Sequence, residues 1–466
     1  MPKSQNSSCK AYVLVFSMLL GLTCHMKGQK FSKQAVLDDL DYLYQSLEDA
    51  HYDLFAYTTR EKFDSVYHQI RNSVDSDSLG ILEITNQFQR LVSSVNNGHT
   101  EIDFPVASYT GYAYEDGTVF PLELAFEDGM ALVRKNFSGD STITRGQQIF
   151  SINGLPIQDI LRRIYPHISA ERAYFKNAKL ELYAFPRYYW QVFGKQEHFN
   201  VHMKVGSVIK EYNLEAVNLI QGFEMLREDV LNAQMELKYY DNIAYLNPGN
   251  FAGDELAYQS FLDSAFTSIK DQSSAQLIID LRNNAGGNDS FSDYLVSFIA
   301  SKSFFWNSKF SVKSSRLLKE FVRENNDTTD AYFRKILDTP SGQQFEYSFD
   351  EHMPQEQGLR YAGEVYVLVN RQSYSQATVT AAQIQDYGFG TIAGEETGEY
   401  PSLYASQFEF SLPNTGIVVK VSKGQIVRVN GSTAQNGVLP DIAIRDHLLD
   451  EEDEILNTLL KSLRSE

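Results

Sequence analysis

The chain has 466 residues, 43% of them hydrophobic, 13% aromatic and 22% charged, a balance that excludes disordered and collagen-like material. At ~100–200 residues per domain this length accommodates roughly two to four domains. Asp and Glu number 60 against 41 Lys and Arg, and the net charge of −19 argues against general affinity for nucleic acid or anionic membrane.

Residues 1–28 combine a basic start (Lys3, Lys10), an apolar run over 11–22 and a short polar stretch, the pattern of a secretory signal peptide; the run is too short to span a bilayer comfortably. The expected location is the periplasm or cell envelope. Cys24 is the alternative, a lipid-attachment site that would tether the chain, but Gly21-Leu22-Thr23 is a poor lead-in. Cleavage after Gly28 removes three lysines and no acid, taking the net charge from −19 to −22, and removes both cysteines, Cys9 and Cys24. Such a mature chain has no disulfide, thiolate metal site or cysteine nucleophile.

Residues 29–100 read as a helical N-terminal domain. Val36, Leu40, Leu43 and Leu47, then Phe63, Val66 and Ile70, then Ile81, Ile84 and Phe88 fall at helical spacing, which predicts three helices. The loop 93–100, with His99, closes this block. Strand-like text then runs over 118–217, with strands at 120–126, 130–133 and 147–152, an Asn153-Gly154 turn and one helix at 157–164. The segment 146–154 looks like a strand pair of a PDZ module.

From about residue 235 buried strands alternate with helices: strands at 243–246, 277–281, 365–369 and 391–393, helices at 255–270, 291–300 and 376–386. This pattern predicts an α/β multidomain protein whose 235–446 core is a βαβ unit with a largely parallel sheet. A polar insert over 301–360, with one helix at 317–337, reads as a lid, and 447–466 as an acidic C-terminal helix.

Two strand-to-helix junctions carry chemistry. At 277–288 a buried strand runs through Asp280-Leu281-Arg282-Asn283-Asn284-Ala285-Gly286-Gly287, a turn that exposes backbone N–H groups suited to an anion or an oxyanion. Its spacing matches neither a phosphate-binding loop nor a dinucleotide fingerprint. At 365–378 a strand meets a helix at Ser375. A serine there is commonly an N-cap, yet the same position suits a nucleophile, because the helix dipole favours negative charge developing beside it. His51, His68, His167, His198, His202, His352 and His447 show no metal-ligand spacing.

These two motifs, followed by Gly394-Glu395-Glu396-Thr397 and Gly437-Val438-Leu439-Pro440-Asp441, resemble in order the tail-specific (carboxyl-terminal processing) serine proteases. The resemblance puts the nucleophile at Ser375 rather than Ser373 and the family's lysine base at Tyr400, which cannot serve. It therefore points to the tricorn-like branch, whose upstream histidine base corresponds to His99. It implies a helical block, a PDZ-like β-rich module and a ClpP/crotonase-like catalytic core. It further implies an oxyanion hole from Gly286 or Gly287 together with Gln376, a polypeptide substrate, and no metal or organic cofactor. Two positions depart from the pattern: Gly98 stands where serine is common, and Ala434, beside Gln435, stands where a glutamate is expected. Glu101, Glu395 and Glu396 are the substitutes considered. The expected activity is an exported serine endopeptidase; the alternatives are a silent peptide-binding protein on the same scaffold and an esterase using Ser375 and His99.

Overall fold

The computed structural model describes residues 28–227 and 234–464, so the expected signal peptide and Cys24 lie outside the described residues apart from Gly28. Three helices, Lys33–Ala50, Arg60–Ser73 and Ile81–Ser93, form where the apolar spacing predicts them, the first two N-capped by the Ser32 and Thr59 hydroxyls. Their buried faces do not close on one another alone. Val36, Leu40, Phe63 and Phe88 share one core with Phe310, Leu318 and Ile336 from the insert and Phe408, Val419 and Val421 from two long strands. Those strands, Leu403–Ser411 and Val418–Val427, pair antiparallel and continue through Lys309–Lys313 to Gln344–Glu346.

The 301–360 stretch is thus built into this core rather than lying over the molecule as a lid. Its expected single helix is two, Arg316–Asn325 and Ala331–Asp338, the second starting where Asp330 caps Tyr332 and Phe333. Asp39, fully buried, ties the first helix to the hairpin by accepting from the backbone and side chains of Asn414 and Thr415 at 2.6–2.9 Å.

Residues 118–217 contain an antiparallel sheet in the order Leu122–Glu127, Met130–Asn136, Gln148–Ile152, His198–Val205, Val208–Glu215. The Asn153-Gly154 turn has the two positive φ angles that such a hairpin requires, 50° and 76°. Helices Ile157–Ile164, Ala173–Tyr183 and Phe185–Phe193 accompany the sheet, the last two in text that reads as strand.

The sheet of the 235–446 core runs Glu236–Tyr240, Ile243–Asn247, Gln276–Asp280, Glu364–Val369, Thr391–Gly394, Ile442–Ala443, and every pairing after the first is parallel. Both faces are covered, as continuous apolar strands demand. Leu277, Ile279, Val365 and Val367 point to helices Glu255–Asp271, Asp289–Ser297 and Gln376–Tyr387, while Ile278 and Leu368 point to the C-terminal helix Glu454–Leu463. The two chemistry-bearing loops leave the carboxyl ends of adjacent strands, paired up to Asp280 and Leu368, where open α/β sheets place their ligand crevices.

Candidate functional site

The loop after Val369 is locked before it reaches Ser375. Ser373 Oγ donates to Leu281 O at 2.8 Å and accepts from Asn370 N–H at 3.1 Å, while Asn370 and Asn283 exchange hydrogen bonds of 3.1 and 2.9 Å. Ser373 is therefore a fully buried structural residue. Ser375 takes φ 56° and ψ −130°, a sparsely populated conformation for a residue with a side chain. Its hydroxyl does not cap helix Gln376–Tyr387. The strained strand-to-helix turn instead presents it to a cavity of about 710 Å³ that His99 also lines.

The capping role falls to Glu399. Its Oε2 accepts from Ser375 N–H at 2.6 Å, and the same oxygen lies 3.3 Å from His99 Nε2, with Oε1 at 3.2 Å. One carboxylate, its side chain only 1% exposed, thus links the backbone of the serine to the imidazole. No hydrogen bond joins Ser375 Oγ to the His99 ring among the described residues. With Nε2 facing Glu399, Nδ1 is the ring nitrogen left to act on a proton.

Both partners of Glu399 are fixed from several sides. The His99 loop is held by Asn97, whose Oδ1 accepts from Thr100 and Ser422 hydroxyls, and by Gln407 Nε2, which donates to His99 O at 2.8 Å. Arg172 clamps the 396–399 segment through Glu396 (2.7 Å), Thr397 O (2.9 Å) and Gly398 O (3.2 Å). Arg371, in the loop that leads to Ser375, is buried between Glu181 (2.7 Å) and Glu395 (2.8 Å).

Burial alone would lower the His99 pKa, but the Glu399 charge and hydrogen bond, with Glu171 behind it, hold it above the ordinary histidine value. Burial opposes ionisation of Glu399 as well; the neighbouring imidazole and the Ser375 N–H outweigh it and keep the carboxyl below its ordinary value. Glu171, which accepts from Gly98 N–H at 2.7 Å, is pushed the other way by burial and by the Glu399 charge. Two close carboxyls so divided, one ionised and one favouring its proton, are a recurrent arrangement at reacting sites.

Of the residues singled out from sequence, Ser375, His99, Gly287 and Gln376 line one cavity. Gly286 does not serve as an oxyanion donor, because its N–H is engaged at 2.8 Å by Asn284 Oδ1. Its requirement is steric: φ is 81°, and a Cβ there would lie 2.5 Å from Gln376 N and 2.7 Å from Ser375 Cβ. The N–H groups of Gly287 and of Gln376, the first helical residue, have no partner among the described residues.

Ala434 lies exposed in a loop, and the substitutes considered for its missing glutamate are otherwise engaged. Glu395 pairs with Arg371, Glu396 with Arg172, and Glu101 lies 3.7 Å from Lys179. Glu399 was the carboxylate to find, and its signal was position: it directly precedes Tyr400, the residue aligned with the lysine that other branches bring to the serine.

Residues 242–444 match Peptidase family S41. Among solved structures, mature CPAF is 14% identical with a TM-score of 0.61, covering 88% of this chain and 92% of that one. Mature CPAF complexed with lactacystin is 13% identical with a TM-score of 0.63, covering 93% and 98%. The photosystem II D1 C-terminal processing protease is 14% identical with a TM-score of 0.44, covering 88% and 93%. At these identities the CPAF likeness speaks for a shared fold.

Proposed function

Because residues 242–444 form a serine peptidase domain of family S41, we propose that this protein is an exported endopeptidase of extended polypeptides in which Ser375, His99 and Glu399 act together. Ser375 Oγ attacks the scissile carbonyl carbon as His99 accepts its proton, and the oxyanion that forms is met by the N–H groups of Gly287 and Gln376. The C–N bond then breaks, the proton passes from His99 to the leaving amine, and water repeats the sequence on the acyl-serine. Glu399 fixes the tautomer and stabilises the imidazolium. The observation that carries this reading is the single Glu399 oxygen that meets both Ser375 N–H and His99 Nε2.

Substrate uptake falls to the PDZ-like 118–217 module. Its edge strand Val208–Glu215 leaves Val208 and Ile209 about 60% exposed, which suits addition of an extended segment. Export rests on the leader-like composition of residues 1–28.

The test is a fluorophosphonate probe on the mature protein, with Ser375→Ala and His99→Ala beside it, followed by digestion of unfolded casein. Serine-dependent labelling lost in both variants, with casein cleaved, supports the proposal. Absence of labelling overturns it, and labelling without cleavage of any polypeptide favours the esterase reading.

A further inference from the structure

The cavity at Ser375 and His99 is also lined by Trp306, Phe310, Tyr332, Phe349 and Lys423, and this part of its wall has an unusual chemistry. Lys423 belongs to the inward row of strand Val418–Val427, in register with Val419 and Val421, which are fully buried; Lys423 itself is only 9% exposed. Strand alternation puts apolar side chains in such a row, and an ammonium there is costly unless paired. Its Nζ makes one hydrogen bond, to Ser406 O at 2.9 Å, and no carboxylate lies within ion-pair distance among the described residues. An ammonium has three donors, so two remain unused. Burial pulls its pKa down to about 8.

Two neighbours repeat the pattern. Among the described residues Trp306 Nε1 is buried without a hydrogen-bond partner, and the buried Tyr332 hydroxyl has only the Ser406 side chain beside it. Both rings pack on Phe349, at 5.2 and 6.1 Å between centroids, and on Phe310, at 5.9 and 6.0 Å. Lys423 lines the same cavity as this aromatic group. Trp306 Nε1, the Tyr332 hydroxyl and the two unused donors of Lys423 therefore line one aromatic-walled cavity with Ser375. The acidic residues on the cavity wall do not answer them: Glu101 lies between Lys179 and Lys420, and Asp289 is at the start of helix Asp289–Ser297. One orphan acceptor, Asn326 Oδ1, also lines the cavity and can take a peptide N–H.

We propose that this wall is a substrate subsite for a carboxylate, received by Lys423 Nζ, Trp306 Nε1 and the Tyr332 hydroxyl, with the aromatic rings enclosing the aliphatic stem that bears it. The substrate class is a polypeptide with an acidic residue near the scissile bond. The inference rests on the peptidase reading above and deepens it. A carboxylate can come from a glutamate side chain or from a chain terminus, and the two are separated by experiment.

Matched unfolded peptides carrying Glu or Gln at each position around the cleaved bond are compared by kcat/KM, and each is made with a free or an amidated C-terminus. The expected result is a roughly 10- to 100-fold preference for Glu over Gln at one position, the scale of a charge-assisted hydrogen bond. That preference should collapse in Lys423→Met and fall in Trp306→Phe, with both variants melting cooperatively. Discrimination between acid and amide termini, lost in Lys423→Met, also supports the carboxylate subsite and assigns it to the chain end. If wild type is labelled at Ser375 yet discriminates in neither comparison, or if Lys423→Met retains the preference, the subsite is overturned while the peptidase reading stands. Failure of wild type to be labelled overturns the peptidase reading itself.

Discussion

Replacing Glu399 by Gln probes the arrangement at its centre. The amide oxygen can still accept from Ser375 N–H, now at 2.6 Å, so the turn keeps its cap, but the charge beside His99 is gone. At the 3.2 Å separation, and with an effective dielectric of ~20, that charge is worth at most ~5 kcal/mol to an imidazolium. Solvent does little to screen it, since the two side chains are 12% and 1% exposed. Above the His99 pKa the resting ring is neutral and the imidazolium forms only as the serine reacts, so at such pH the loss falls on the chemical step, and a decrease of ~10²–10⁴ in kcat is expected. The pH profile supplies the second readout. His99 must be neutral to accept a proton, so in wild type the rate climbs as pH rises through a pKa held above the ordinary histidine value. Without the Glu399 charge burial dominates, and the acid limb moves to lower pH. Fluorophosphonate labelling rates from about pH 5 to about pH 9, taken beside a thermal melt, measure both effects. A variant within about threefold of wild type whose acid limb stays in place would refute the role assigned to Glu399.

Gly286→Ala should displace Ser375, because the added carbon would stand 2.7 Å from the serine Cβ on a backbone with φ 81°; labelling is expected to fall by at least ~10²-fold, read against an unchanged far-ultraviolet spectrum. Arg371→Leu leaves Glu181 and Glu395 buried without their cation and should cost ~3–5 kcal/mol in urea unfolding, whereas an effect under about 1 kcal/mol would argue that the pairing is incidental. Asp39→Ala orphans the Asn414 and Thr415 N–H groups and should destabilise by ~1–3 kcal/mol; hydrogen exchange should then quicken in helix Lys33–Ala50 and in the hairpin together if the two share one core.

The parallel core was legible because its strands are buried on both faces and so read as unbroken apolar runs at 277–281 and 365–369. Ser375 and His99 were legible as candidates only through the resemblance to the tail-specific proteases; periodicity alone puts each at a junction between elements, where a serine is commonly an N-cap. The helices Ala173–Tyr183 and Phe185–Phe193 were not legible. Tyr174, Phe175, Phe185, Tyr188, Tyr189 and Trp190 favour strands intrinsically, and only packing against the neighbouring sheet, as in the Phe120 to Tyr189 stack at 5.7 Å, decides for helix. The shared core of the N-terminal helices and the insert was equally hidden, since periodicity reports that a face is apolar and says nothing of which distant segment covers it.

Gly98 and Ala434, read separately, are two losses from a familiar catalytic pattern. The geometry makes them one substitution. A Cβ at position 98 would stand 3.0 Å from Glu399 Oε1, 3.2 Å from the Phe175 ring and 3.3 Å from Glu171 Oε1. A serine there would crowd the space in which two carboxyls approach His99, whereas glycine leaves that space open and turns its own N–H toward Glu171 at 2.7 Å. The carboxylate expected from the 434 loop enters instead from the segment after Thr391–Gly394, next to the residue aligned with the lysine of the other branch. In the proposed reading the base, His99, follows the histidine branch, while Glu399 stands beside the position of the lysine branch's base. Glycine at 98 leaves both carboxyls their present approach to His99, so under the proposed reading a carboxylate stands beside the imidazole although position 434 is alanine.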